Sequence, residues 1–213
     1  HMVPPFEVSV FADPSGAFTT AAGMVAITEK HLNDKFSQKL DKSNVVILGG
    51  TGPVGVASAV ICAKAGANVT LVGRSLEKAE KIAGICNDRY DSKNVKGGAD
   101  ADKSDFFNVA DIVLNTGAAG IQLMSEEHIK NSNTLKICAD TNAVPPSGIA
   151  GVDVMDNGKV IDMSPSKCLG IGALAIGNIK YKSQHECLKL MYTSEKPVYL
   201  DFEDAFKFAQ KSV

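Results

Sequence analysis

Three glycines stand in the spacing G-x-G-x-x-G at Gly50, Gly52 and Gly55, directly after the apolar run 45–48. A turn of this kind at the start of a helix presents free backbone N–H groups to a diphosphate. The spacing alone is weak support, because 19 glycines in 213 residues also produce it by chance. Its context, an apolar run before it and small residues after it, favours a dinucleotide site over a βα turn that binds nothing. The expected diphosphate contacts are Gly50, Thr51, Gly52, Pro53 and Val54.

The residues around this turn predict the elements that hold it. Residues 45–48 read as a strand that is buried on both faces. Gly55, Ala59 and Ala63 fall on one face of the following helix, which lets that helix lie close to the sheet. Pro53 suits the first helical position and Gly66 suits the helix end.

The end of the second strand indicates which dinucleotide binds. A site that prefers NAD carries Asp or Glu there, about 20 residues past the glycines, to hold the ribose 2′-hydroxyl. This chain has Arg74 and Ser75 at that point, with Lys78 one turn further on. Ser75 is also the expected cap of a helix over 76–87. A guanidinium binds a phosphate through two parallel charged hydrogen bonds, and the other two side chains add a hydroxyl and a charge. We therefore predict NADP as the cofactor, with a solvated loop arginine as the alternative.

Strands and helices alternate over residues 44–142, and this rhythm predicts a Rossmann-type, doubly wound parallel sheet in the α/β class. A strand over 7–11 and a helix that begins near residue 19 or 20 come before it. The expected division is an N-terminal strand-helix segment at 3–40, an NADP-binding domain at 41–200 and a C-terminal helix at 201–213.

Beyond the double proline at 145–146 the alternation loosens. The turn residues 156–158 predict a hairpin or a loop excursion between 152–153 and 159–162. Helical periodicity follows over 178–191, and an amphipathic helix closes the chain.

Ligands of open parallel sheets bind at the carboxyl ends of the strands, so the loops there are candidate cofactor contacts. Thr116, Gly117 and Ala118 are expected along the path from adenosine to nicotinamide, although these small residues could also serve only a tight turn. Asp140 and Asn142 follow the next strand. They are expected to reach the nicotinamide ribose or carboxamide.

The composition narrows the class of protein. A net charge of -2, with no dense run of Lys and Arg, argues against nucleic-acid binding. No stretch approaches the roughly 18 consecutive apolar residues of a membrane span. The five cysteines are odd in number and lack the C-x-x-C spacing, so we expect reduced, mostly buried thiols in a cytoplasmic protein without a metal site. His1 and Met2 look like a cloning remnant.

Five ordered segments resemble the NADP-dependent methylene-tetrahydromethanopterin dehydrogenases of bacterial one-carbon metabolism. The similarity runs from about Pro5 to the C-terminus. The segments are D-P-S-G-A-F-T-T-A-A (13–22), V-I-L-G-G-T-G-P-V-G-V (46–56), L-V-G-R-S-L-E-K-A (71–79), A-D-T-N-A-V-P-P-S-G-I-A-G-V-D (139–153) and L-G-I-G-A-L-A-I-G-N-I-K-Y-K (169–182).

The resemblance implies transfer of a hydride from the methylene carbon of a small reduced pterin to the nicotinamide, leaving a methenyl cation. The pterin is methylene-tetrahydromethanopterin or, for some members, methylene-tetrahydrofolate. No proton moves in that step, so no general base is needed. A homo-oligomer is the expected assembly. The Y-x-x-x-K spacing of Tyr192 and Lys196 matches short-chain dehydrogenases, but Pro197 follows at once and we interpret the match as chance.

Two residues carry the implied catalytic roles. Lys180 matches the lysine that faces the pterin in the family; without the resemblance it reads as an exposed helix lysine. Asp13 could bind the pterin ring nitrogens or favour the forming cation. Its alternative role is a turn or helix-capping carboxylate.

The family carries a further N-terminal α/β domain, and essentially nothing here precedes Pro4. We expect either a truncated form or a naturally short relative, with the substrate half of the interdomain cleft in doubt. The competing hypotheses are a shikimate-dehydrogenase-like NADP oxidoreductase and a non-catalytic NADP-binding module.

Overall fold

The computed structural model describes residues 3–213 as an α/β fold. The expected cloning remnant, His1 and Met2, lies outside the described residues. Seven strands form one sheet in the order β4-β3-β2-β5-β6-β8-β7. The first six are parallel, and β7 pairs antiparallel with β8 at the edge. The strands are β2 (Asn44–Leu48), β3 (Asn68–Gly73), β4 (Val95–Ala99), β5 (Ile112–Asn115), β6 (Ile137–Asp140), β7 (Asn157–Val160) and β8 (Leu169–Ile171).

A separate two-stranded parallel sheet joins the two ends of the chain. It pairs β1 (Val10–Phe11) with β9 (Tyr199–Leu200). The helices are α1 (Ala17–Phe36), α2 (Pro53–Lys64), α3 (Leu76–Tyr90), α4 (Lys103–Phe107), α5 (Glu126–Asn131), α6 (Ala173–Thr193) and α7 (Phe202–Ser212), with short 3-10 turns at Pro14–Gly16 and Asp100–Asp102. In the described range 3–213, no helix is both long and apolar enough to cross a membrane.

The central strands are buried on both faces, as expected for a parallel sheet covered by helices. Successive residues of β2 point to opposite sides: Val45 and Ile47 enter one core, and Val46 and Leu48 enter the other. The first core lies under α1, α2, α3, α6 and α7, and the second lies under α4, α5 and the loops after β6. This arrangement confirms the predicted doubly wound sheet.

Helix α1 lies inside the helical layer. Seven consecutive apolar or small residues, 21–27, are all buried. At its middle, a Cβ on Gly23 would lie 2.9 Å from the backbone N of Lys180 and 3.0 Å from the carbonyl O of Ile176, so α1 and α6 pack backbone against backbone. All three expected parts of the chain contribute residues to the first of the two cores.

Several predicted boundaries were wrong. The strand expected over 7–11 is only two residues long, and α1 begins at Ala17, earlier than 19 or 20. The hairpin pairs β7 with β8, while Asn157 and Gly158 lie within β7 instead of forming its turn. Helix α6 begins at Ala173, five residues before the predicted start, because its first residues are too small and apolar to show helical periodicity.

All five cysteines are free thiols and buried, as predicted. Burial raises the pKa of Cys62 to about 12 and that of Cys187 to about 11, so both thiols stay protonated at neutral pH.

Candidate dinucleotide-binding site

The glycine turn between β2 and α2 has no room for side chains at two of its positions. A Cβ on Gly55 would lie 2.6 Å from the Cα of Gly50, so α2 approaches the turn closely. Gly49 has φ +65°, and a Cβ there would lie 2.6 Å from the Cα of Gly117. Pro53 occupies the first turn of α2, as predicted, and the N–H groups of that turn have no partner within the helix.

A cavity of about 420 Å³ spans the carboxyl ends of β2, β3, β4 and β5 next to this turn. It contains six of the predicted cofactor contacts: Thr51, Gly52, Arg74, Thr116, Gly117 and Ala118. The remaining lining residues are Gly49, Val72, Gly73, Asp100, Ile121 and Leu123. The size and the mixture of apolar and charged walls suit a nucleotide.

A second cavity of about 330 Å³ is lined by Thr51, Arg74, Ser75 and Lys78. The Ser75 hydroxyl oxygen accepts a hydrogen bond from the backbone N of Lys78 at 3.3 Å and caps α3, as predicted. Its O–H remains able to donate. Arg74 and Lys78 are exposed, and neither forms an ion pair with any residue in the range 3–213. The cavity therefore offers an anion two cations and a hydroxyl donor.

The predicted contacts after β6 have a different environment. Asp140 is 1% exposed, and its carboxylate accepts hydrogen bonds from Asn115 Nδ2 at 2.7 Å, the backbone N of Asn142 at 2.9 Å and the backbone N of Ile149 at 3.1 Å. These bonds hold the loops after β5 and β6 together. The prediction that Asp140 touches the cofactor has no support from this geometry.

The side chain of Asn142 is also engaged with its own loops. Its Oδ1 accepts from the backbone N of Val144 at 2.9 Å and of Gly120 at 3.3 Å, and its Nδ2 donates to the carbonyl of Pro146 at 2.8 Å. Asn142 also lines a cavity of about 270 Å³ beside these loops. Its contact with the nicotinamide stays a prediction.

The two predicted catalytic residues lie beside one short turn. A Cβ on Gly16, which has φ +72°, would lie 2.6 Å from Lys180 Nζ. Asp13, three residues earlier, accepts hydrogen bonds from the backbone N of Phe18 at 2.9 Å, the backbone N of Thr19 at 3.1 Å and the Thr19 hydroxyl at 2.7 Å. The carboxylate therefore caps α1, the alternative that the sequence left open. Direct roles in catalysis remain predictions for both residues.

Sequence reasoning missed six lining residues of the larger cavity, and three of them, Asp100, Ile121 and Leu123, lie outside the two strand-end segments that it considered at Gly50 and Arg74. Asp100 follows β4, whose strand signal is weak because two glycines interrupt it. Ile121 is 52% exposed, as are several other large apolar residues, so its exposure alone gave no signal. The signal that could have found Asp100 is its place directly after the strand that borders β3.

His128 forms part of the N-terminal cap of α5. Its Nδ1 accepts a hydrogen bond from the backbone N of Ser125 at 3.1 Å as part of a capping box for α5. Burial and the nearby Lys103 ammonium lower its pKa.

Among the residues from 3 to 213, no group of three or more His, Cys, Asp or Glu could hold a metal ion.

The parallel sheet, the glycine turn and the cationic cavity beyond β3 define a dinucleotide-binding domain of the Rossmann class. No family model matches the sequence. Comparison with curated proteins finds the NAD(P)-dependent methylenetetrahydromethanopterin dehydrogenase of Methylorubrum extorquens, 41% identical over 210 residues, covering 97% of this chain and 70% of that protein. The bifunctional protein MdtA of the same organism is 36% identical over 97% of this chain and 69% of its own length. The chain belongs to the methylenetetrahydromethanopterin dehydrogenase family.

Solved structures with the same fold are more distant in sequence. The transhydrogenase of Sinorhizobium meliloti has a TM-score of 0.58 at 15% identity, over 85% of this chain and 55% of that chain. Quinate dehydrogenase of Corynebacterium glutamicum, in complex with NAD, has a TM-score of 0.56 at 15% identity, over 97% and 72% of the two chains. Shikimate dehydrogenase of Mycobacterium tuberculosis has a TM-score of 0.52 at 16% identity, over 90% and 62%. This likeness shows the fold alone.

Proposed function

We propose that this chain binds NADP and oxidises the methylene group of methylene-tetrahydromethanopterin, giving the methenyl cation. The observation that carries the proposal is the continuity of the glycine turn with the cavity of Arg74, Ser75 and Lys78 in a member of this family. The relative is described as NAD(P)-dependent, so the choice between the two cofactors has to come from this chain's own residues.

The residues beyond β3 favour NADP over NAD. A 2′-phosphate in the smaller cavity would meet the Arg74 guanidinium, the Ser75 O–H and the Lys78 ammonium, all of which are donors. No carboxylate lines that cavity, so a 2′-hydroxyl would find no strong acceptor there. At Gly52, the second glycine of the turn, a Cβ would meet only the carbonyl O of Gly49 at 3.5 Å, so the backbone there is open to the close approach that a diphosphate needs.

In the reaction, bound NADP supplies the nicotinamide C4 that accepts the hydride. The protein has to hold the donor carbon near that acceptor and to exclude water. Lys180 is half-buried beside the Asp13 to Gly16 turn, and this position supports the proposal that its ammonium contacts the pterin. Asp13 supports that placement by holding the turn on the N-terminus of α1. These roles for Lys180 and Asp13 form part of the proposal.

We further propose that the pterin binds in a cleft between this domain and an N-terminal substrate domain, as the family resemblance implies. We also propose that the protein is cytoplasmic, forms a homo-oligomer and acts in one-carbon metabolism. Family membership favours this dehydrogenase over the shikimate-dehydrogenase-like alternative, since that protein shares only the fold with this chain. It also favours an enzyme over a non-catalytic module.

The test measures NADPH formation at 340 nm with methylene-tetrahydromethanopterin, with methylene-tetrahydrofolate and with shikimate. We expect activity with a methylene pterin and none with shikimate. Lys180→Ala should lower kcat by at least tenfold while NADPH affinity stays unchanged, and the neighbouring exposed Lys182→Ala serves as the matched control. Absence of pterin oxidation by the chain joined to its natural upstream sequence would refute the proposal.

A further inference from the structure

Asp100 is the one carboxylate that lines the larger cavity, as far as the described residues show. It follows β4, the edge strand that pairs with β3, and begins a 3-10 turn. Its side chain is 39% exposed and forms part of the cavity wall. The NADP proposal gives it no role, and an unneutralised carboxylate would oppose a phosphate.

Lys103 neutralises this charge without occupying all of the acceptor positions. Its Nζ lies 3.1 Å from Asp100 Oδ1 and 3.2 Å from Oδ2, and its side chain is only 19% exposed. A carboxylate has about four lone-pair positions, and one ammonium bound to both oxygens uses two. Asp100 therefore presents acceptors to the cavity while adding no net charge to it.

The walls beside Asp100 suit a flat aromatic base. Val72, Ile121 and Leu123 supply apolar surface, and Ile121 is exposed where nothing from the rest of the described chain covers it. Arg74, at the end of the neighbouring strand, lines both this cavity and the phosphate cavity. The ribose of a bound nucleotide belongs next to Arg74, and the base then extends towards β4.

We propose that Asp100 determines base specificity by accepting a hydrogen bond from the exocyclic amine of adenine. This inference rests on the proposed binding of NADP. A purine with a carbonyl at the same position presents an acceptor to an acceptor, so the cavity should reject hypoxanthine and guanine. Asp100 acts on binding and has no part in hydride transfer.

The experiment compares NADPH with reduced nicotinamide hypoxanthine dinucleotide phosphate, which has an oxo group in place of the amine and an N1–H in place of the N1 acceptor. The chain contains no tryptophan, so affinity is measured by calorimetry and by the fluorescence of the reduced nicotinamide. Unsubstituted protein should bind the hypoxanthine analogue roughly 10- to 100-fold more weakly, the range for a hydrogen bond to a charged group.

Asp100→Asn should reduce that ratio to about threefold or less, because an amide can turn its N–H₂ to the oxo group. Asp102→Asn is the matched control: it makes the same charge change on an exposed residue of the same turn and should preserve the ratio. Lys103→Met separates base recognition from a structural role. It should preserve discrimination if Asp100 itself meets the base, and should abolish it if Asp100 serves only to hold Lys103.

The outcomes distinguish this inference from the proposed function. Tight NADPH binding with equal affinity for the analogue would overturn the role of Asp100 and leave the NADP proposal intact. Loss of discrimination in both Asp100→Asn and Lys103→Met would also overturn it. Failure of the unsubstituted protein to bind NADPH would refute the NADP proposal and this inference together.

Discussion

The carboxyl edge of the sheet has two halves that use polar residues in opposite ways. Beyond β3, the side chains of Arg74, Ser75 and Lys78 are exposed and retain free donors around a cavity. Beyond β5 and β6, the side chains of Asn115 and Asp140 are buried and bonded to each other and to loop backbone. The first half leaves its polar groups open to a cavity, whereas the second uses them to fix the loops after β5 and β6.

A polar residue at the end of a parallel strand therefore has two different possible functions, and its type does not decide between them. A charged group kept from water needs partners within the protein, so burial commits it to structure. A charged group left in water retains its donors for a ligand. Variants at four positions test this division, ordered from the largest expected effect to the smallest.

Asp140→Ala should have the largest effect, on stability. It leaves the Asn115 amide and two backbone N–H groups without an acceptor in a buried place. We expect the free energy of unfolding to fall by about 3–4 kcal/mol, with Tm lower by roughly 10 °C. Urea and thermal unfolding measure this, with the exposed Asp88→Ala as the control. An unchanged Tm with lost NADPH binding would show that Asp140 contacts the ligand after all.

Arg74→Ala should act on affinity and leave stability unchanged. Loss of a charged hydrogen-bond partner should weaken NADPH binding by about 1.5–3 kcal/mol, while NADH binding stays nearly the same. Calorimetric titration of both cofactors measures the difference. Arg89, exposed in the last turn of the helix that follows, provides the control variant Arg89→Ala. Equal weakening of NADH would contradict the placement of a 2′-phosphate here.

Ser75 combines both functions, so its two variants should separate them. Ser75→Ala removes the cap of α3 and should cost about 1 kcal/mol of unfolding free energy. Ser75→Asp restores a capping acceptor but places a negative charge beside the phosphate. It should therefore regain stability and lose NADPH affinity. If Ser75→Asp binds NADPH as well as the unsubstituted protein does, the hydroxyl does not face the phosphate.

Lys78→Ala should have the smallest effect. An exposed lysine near an anion contributes about 0.3–1 kcal/mol, and salt screens that contribution. We expect NADPH affinity to fall about two- to fivefold at low ionic strength and to match the unsubstituted protein at about 1 M salt. Lys81→Ala, on the same helix and exposed, is the comparison. A loss that persists at high salt would indicate direct, buried contact with the phosphate.

Sequence reasoning predicted the sheet well where strong local signals were present. The run 45–48 followed by glycines, and the Ser75 cap before α3, each depend on neighbouring residues only, and the structure confirms them. The predicted start of α6 and the predicted turn at 156–158 were wrong, because the local patterns at these places were weak or misleading.

In the candidate site, too, residues whose position depends on neighbouring sequence were predicted, and residues whose position depends on distant contacts were not. Arg74 directly follows β3 and Lys78 lies in the first turn of α3, so the local sequence alone was enough to predict their place beside the cavity. Two hydrogen-bond partners of Asp140, Asn115 and Ile149, lie 25 positions upstream and 9 positions downstream, and no local sequence pattern predicts such pairs. Asp100 was missed because two glycines obscure the strand that places it.

The burial of α1 limits how far this protein can be cut down. Residues 17–36 stand at the centre of the helical layer, against α2, α6 and α7, although they precede the glycine turn in the chain. Deleting them to obtain a minimal nucleotide-binding unit would expose the apolar surfaces of α6 and the sheet that α1 buries. A fusion partner or reporter is better attached before residue 10. The chain there is exposed, and the strand β1 that follows it pairs only with the short strand β9.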